Sequence, residues 1–119
     1  MLTQEEVNAF AQHWLAAWNA HDLDQIMSHY EDHVELMSPV AVQLLNNPAG
    51  RVVGEENLRL YFQKGLAAFP ELHFTLKNVL WGINSVVLYY ENQRGTYTAE
   101  YMELSPHGKV VRVVANYSR

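Results

Sequence analysis

Two tryptophans one helical turn apart constrain this chain more than any other feature. Trp14 and Trp18 lie on a segment in which Val7, Phe10, Ala11, Trp14, Leu15 and Trp18 follow the i, i+3, i+4, i+7 spacing of a helix with one apolar stripe. A lone helix cannot shelter two indole rings on one face, so the rest of the chain must supply a concave surface to receive them. Thr3 and Glu6 have capping-box spacing, so the helix is expected over Thr3 to Ala20. Asp22, with Gln25 three residues on, predicts the N-cap of a short second helix marked by Leu23, Ile26, Met27 and Tyr30. Glu31-Asp32 reads as a turn, and His33 to Ser38 as a strand stopped by Pro39.

Val40 to Val53 is the least regular stretch. Asn46-Asn47-Pro48-Ala49-Gly50 has loop chemistry, and a loop of this length in a small domain often forms a binding rim. Gly54 precedes a third helix whose buried face is marked by Leu58, Tyr61, Phe62, Leu66 and Phe69, and Pro70 ends it. Strands are expected over 72–81, 85–91, 96–104 and 109–117, the last three joined by turns at Asn92–Gly95 and Ser105–Gly108. Helices first and an antiparallel meander last predict an α+β domain covering residues 1–119. Three helices on one face of a strongly curved sheet enclose a cone that holds the tryptophans. In the last strand Val111, Val113, Ala115 and Tyr117 alternate with Val110, Arg112, Val114 and Asn116, so both faces carry apolar residues. That pattern predicts a homodimer through the outer sheet face.

With 119 residues, about half of them hydrophobic, one core forms without staples. No cysteine is present, which removes disulfides and thiolate metal sites. A formal charge of −5 and scattered basic residues disfavour nucleic acid. MLTQEEV has no basic n-region, and no apolar run approaches the ~18 residues of a membrane span. A soluble, cytoplasmic protein with no membrane partner is the expectation. His29 and His33 have i, i+4 spacing with Glu35 near, but the expected turn between them breaks helical geometry. His13, His21 and His107 have no evident partners. Neither a metal nor a cofactor is expected.

The segments AWNAHDLDQIMSHYEDHVELMSP, GRVVGEENLRLYF and GKVVRVVANY resemble the nuclear-transport-factor-2-like superfamily, close to its SnoaL-like branch. The resemblance covers nearly the whole chain and implies the cystatin-like cone: helices on a mixed, mainly antiparallel sheet. It does not imply one activity, because the superfamily includes isomerases, dehydratases, epoxide hydrolases, polyketide cyclases and non-catalytic binders. Against ketosteroid isomerases, the catalytic tyrosine position falls at Trp14, the aspartate base at Ser38 and the aspartate oxyanion donor at Glu100. A serine hydroxyl without an assisting base does not abstract a carbon-bound proton, and indole N–H lacks the acidity of a phenol. Isomerisation by that constellation is therefore not expected.

Glu100, mid-strand and on the inward face, is the candidate catalytic residue, as base when ionised or as donor when neutral. Trp14, Tyr30, Ser38, Tyr61, Phe62, Met102 and Tyr117 are the candidate ligand-binding residues around an apolar pocket. Trp18 is expected to seal the core, and Met37 to pack on the opposite face. The implied partner is a small hydrophobic molecule, with an isomerase, lyase or cyclase acting on an apolar carbonyl compound through Glu100. The alternatives are a non-catalytic module that binds a hydrophobic ligand in the same pocket, and a dimerisation module that works through the sheet face with the cavity filled by side chains.

Overall fold

The structure, a computed structural model, describes residues 1–118. The capping box forms at the first helix: Glu6 N donates to Thr3 Oγ1 at 3.1 Å, and Thr3 N donates to Glu6 Oε1 at 3.0 Å. Helix α1, Gln4–Asn19, buries Val7, Ala11, Trp14, Ala17 and Trp18, a stripe at steps of three and four. His21 turns the chain in the left-handed region, and its Nε2 donates to the Leu72 carbonyl at 2.8 Å. Asp22 then caps α2, Leu23–Met27, accepting from Gln25 N.

The sheet begins with β1, Tyr30–Met37. Glu31 and Asp32, expected as a turn, lie inside this strand, in the irregular part of its pairing between Tyr30 and Glu35. The segment expected to be an irregular loop is also ordered. It folds as α3, Pro39–Leu45, a turn, and β2, Arg51–Val53, which pairs antiparallel with β1. Ser38 caps α3 through a 3.1 Å bond from Val40 N, Pro39 occupies its first turn, and Asn46 ends it in the left-handed region. Helix α4, Glu55–Ala68, follows Gly54 and buries Leu58, Tyr61 and Phe62.

A four-strand meander completes the chain: β3 Thr75–Trp81, β4 Ser85–Glu91, β5 Tyr97–Leu104 and β6 Val110–Tyr117. The sheet order is β2-β1-β6-β5-β4-β3, antiparallel except where β1 runs parallel to β6. The first strand therefore enters beside the last, and the curled, unclosed sheet wraps the helices. This is the expected α+β cone, with α3 added to the three helices anticipated.

Strand alternation decides what faces inward. On β5, Thr98, Glu100, Met102 and Leu104 are buried, and on β4 so are Val86, Leu88 and Tyr90. The last strand departs from strict alternation. Pairing slips between Glu103 and Leu104, so Val110 lies opposite Leu104 while Arg112 lies opposite Glu103. This irregularity puts Val110 in the core and leaves Val111 only half-buried, the reverse of the simple period-two expectation. The core runs unbroken from Val7 on α1 to Val113 on β6.

Candidate active site

The cone is not filled. A cavity of about 110 Å³ remains between the helices and the sheet, where one water needs about 10–15 Å³. Its floor is the inner face of β4 to β6, at Tyr90, Thr98, Glu100, Ala115 and Tyr117. Trp14 and Trp18 of α1 form one wall, and α3 and α4 the other, ending at Phe69. The turn Asn92–Arg94 lies at the rim.

Glu100 is 7% exposed, and among the described residues it is the sole acid in the cavity lining. Tyr90 Oη donates to its Oε1 at 2.6 Å, the short distance of a charge-assisted bond. Burial raises the Glu100 carboxyl to about 7, and the Tyr90 bond opposes that rise. No protein group bonds Oε2 among the described residues, so that oxygen is free for a ligand. Burial, reinforced by the Glu100 charge, also pushes up the phenols around it. Tyr61 rises to about 12 through burial, with the Ser38 hydroxyl pulling the other way. Tyr30, Tyr90 and Tyr117 move further in the same direction, burial first in each. All four remain neutral hydrogen-bond donors near pH 7.

Trp14, Ser38, Tyr61, Phe62, Glu100 and Tyr117 come together on the cavity lining. Tyr30 and Met102 do not. Tyr30 lies behind the wall, 3% exposed, where its Oη accepts from Trp14 Nε1 at 3.0 Å. Met102, two residues beyond Glu100, is fully buried in the core. The Trp14 N–H is therefore committed to Tyr30, and only the face of its ring, tilted 5.5 Å from Tyr90, serves the cavity. Trp18, expected only to seal the core, lines the cavity too, edge-on to Phe62 at 4.8 Å. Ser38 Oγ caps α3 and sits 3.4 Å from Tyr117 Oη. Met37, expected to pack, is 38% exposed on the outer face.

Tyr90, Thr98 and Arg94 belong to the cavity and were not singled out from the sequence. The signal for Tyr90 was present. A turn at Asn92–Gly95 pairs Glu91 with Tyr97, which puts Tyr90 and Glu100 on one face, two residues apart diagonally. Among the described residues no group of three or more His, Asp or Glu side chains could hold a metal. His29 instead packs edge-on to Phe10, and His33 pairs with Asp32 in solvent.

The chain has relatives among known proteins by family and by fold. No curated protein sequence matches it. The SnoaL-like domain family matches residues 11–117. A SnoaL-like protein of unknown function from Burkholderia thailandensis E264 is 38% identical over 100% of both chains, with a TM-score of 0.93. TerC, crystallised with polyporic acid, shares the fold at 13% identity, covering 95% of this chain and 92% of its own, with a TM-score of 0.77. A candidate isomerase of the SnoaL-like family from Agrobacterium tumefaciens C58 shares it at 16% identity over 98% and 100% of the chains, with a TM-score of 0.77. A cone-shaped α+β sheet, an aromatic cavity and a match over almost every residue agree: this chain belongs to the SnoaL-like domain family.

Proposed function

We propose that the cavity binds a small, largely apolar carbonyl compound and that Glu100 is its acid/base group, in an isomerisation, elimination or cyclisation. The observation that carries this reading is a lone buried carboxyl, raised to about 7, with one oxygen held by Tyr90 and the other unbonded. Such a group populates both protonation states near neutral pH, the condition for efficient proton transfer in either direction. Ionised, Oε2 takes a proton from a carbon next to the substrate carbonyl. The electron pair of that C–H bond moves into the enolate, and the new acid returns the proton at a different atom. No oxidant or added group is needed. The neutral phenols of Tyr61 and Tyr117, which line the cavity, supply donors for the enolate oxygen, and the aromatic wall excludes water.

A second reading, binding without turnover, draws on the two altered positions. Ser38 is occupied as a helix cap and the Trp14 N–H is occupied by Tyr30, so neither altered position gives Glu100 a second base. Glu100→Gln separates the readings. Loss of turnover of at least 100-fold with binding retained supports the enzyme. Turnover unchanged by Glu100→Gln removes Glu100 from the chemistry. The relative crystallised with polyporic acid supports a small-molecule ligand in either case.

We also propose that two copies associate through the outer sheet face. Leu80, Val87, Tyr101, Val114 and Met37 are register partners in one apolar row across five strands. Beside it, the Tyr89 and Tyr97 rings stack at 5.5 Å.

A further inference from the structure

Among the described residues, Arg94 is the sole basic side chain in the cavity lining, at the rim of a pocket whose other described lining is apolar or uncharged apart from Glu100. Four other basic residues are neutralised on the surface: Arg51 by Glu35, Arg59 by Asp24, Lys77 by Glu91 and Arg112 by Glu103. Arg94 has no carboxylate within ion-pair distance among the described residues, and its guanidinium lies over the Phe69 ring, 5.4 Å from the centroid. Phe69 also lines the cavity, so the cation is held at the entrance by the pocket's own wall.

The turn that carries it is built to stay in place. Asn92 Oδ1 accepts from Arg94 N at 2.9 Å and from Thr96 N at 3.2 Å, while Asn92 Nδ2 donates to Thr96 Oγ1 at 2.7 Å. Gly95 takes the left-handed conformation that closes the turn, its N–H donating to the Asn92 carbonyl. A guanidinium fixed this way presents planar donors that match a carboxylate without first ordering the loop. Glu100 lies three residues beyond Tyr97, the first residue of β5, or about 10 Å of strand. The cavity therefore has two poles: a proton-transfer group inside and a cation at the rim, with aromatic walls between.

We propose that Arg94 recognises an anionic group on the ligand, so that the molecule bound here is an amphipathic keto acid: an apolar ring or chain, a carbonyl at the Glu100 end and a carboxylate at the rim. This deepens the cavity reading above and rests on it.

Binding of 4-acetylbenzoate and of its methyl ester, followed by tryptophan fluorescence in a Trp81→Phe background so that only Trp14 and Trp18 report, tests the assignment with wild-type Arg94, Arg94→Gln and Arg94→Lys. Arg94 is exposed, so these substitutions leave the core intact. The expected result is that wild type prefers the acid by roughly five- to tenfold, since the contact is charge-assisted but partly screened. Arg94→Gln should abolish the preference and leave ester affinity unchanged, and added salt should narrow the wild-type preference. Arg94→Lys should keep part of it. Equal binding of acid and ester by wild type, or a preference that survives in Arg94→Gln, overturns the role of Arg94 and leaves the cavity reading standing. Failure of both probes to bind wild type up to the solubility of the ester overturns the cavity reading and this assignment together.

Discussion

Glu100 sits where its charged form has lost most of its water, and this ties stability to pH. Below pH 4.5 the carboxyl is protonated in both the folded and the unfolded chain, so it contributes no difference. Between 4.5 and about 7 only the unfolded chain ionises, so stability falls as pH rises. Above about 7 the loss is complete, on the order of 3 kcal/mol. Glu100→Gln keeps an oxygen to accept from Tyr90 and removes the titration. Thermal unfolding from pH 4 to 8 should show wild type losing stability relative to Glu100→Gln as pH rises. Parallel curves would show that Glu100 titrates normally. The exposed carboxyl of Asp32 and the half-buried carboxyl of Glu35 are lowered by His33 and Arg51 respectively and act on the acidic side of this window. They are common to both proteins and cancel in the difference. Tyr90→Phe removes the bond that favours the charged form. It should raise the Glu100 carboxyl above about 7, as read from its carbon-13 chemical shift against pH.

Most elements were legible because local chemistry and burial agree. Thr3 and Glu6, Asp22 and Gln25, and the turns at Asn92 and Ser105 each satisfy backbone groups within a few residues. The misread elements are those whose order comes from distant partners. Glu31 and Asp32 fall inside β1 because Tyr30 before them and Glu35 after them both pair with β6, and the three residues of β2 pair with β1 alone. Helix α3 did carry a local signal, Ser38 before Pro39 as cap and first turn, but seven residues are too few to show a stripe. The candidate site was legible to the same degree. Inward residues of long strands could be assigned, whereas Arg94 in a turn and Tyr90 across a hairpin required the register. At the junction of β1, α3 and β2, Ser38 N donates to the Gly50 carbonyl at 2.9 Å. Gly50 has φ +62, and a Cβ there would fall 2.7 Å from the Ser38 carbonyl oxygen. Gly50→Ala should therefore cost about 2–3 kcal/mol, because strain and close approach combine. Gly108→Ala, at φ +75 with nothing within 4 Å, should cost only about 1 kcal/mol. Denaturant midpoints of the two variants test the ordering, and equal costs would dismiss the close approach as a constraint.

At the scale of the molecule, the sheet has two working faces with opposite demands. The inner face gives its polar residues to the cavity. The outer face alternates an apolar row with a charged one, in which Glu103, Arg112 and Glu35 lie in successive register, while Arg51 stands opposite Met37 and reaches across to Glu35. Arg51 Nε and Nη2 each donate to Glu35, and Arg112 Nη1 donates to Glu103. These pairs satisfy the charges within one chain, so a second copy could cover them without stranding a buried ion. The apolar row has no such internal solution: Leu80 is 53% and Met37 38% exposed. A standard dimer hides about 800 Å² per partner, a little over a tenth of the 6818 Å² surface of one chain. Sedimentation should find wild type at twice the 13.7 kDa of a single chain. Tyr89→Lys places a charge beside the apolar row while leaving the inner face untouched. It should shift the protein to monomer and keep the Glu100 cavity folded, as shown by an unchanged pH dependence of unfolding at equal protein concentration. A wild-type protein that sediments as a monomer at all concentrations would remove the sheet-face dimer.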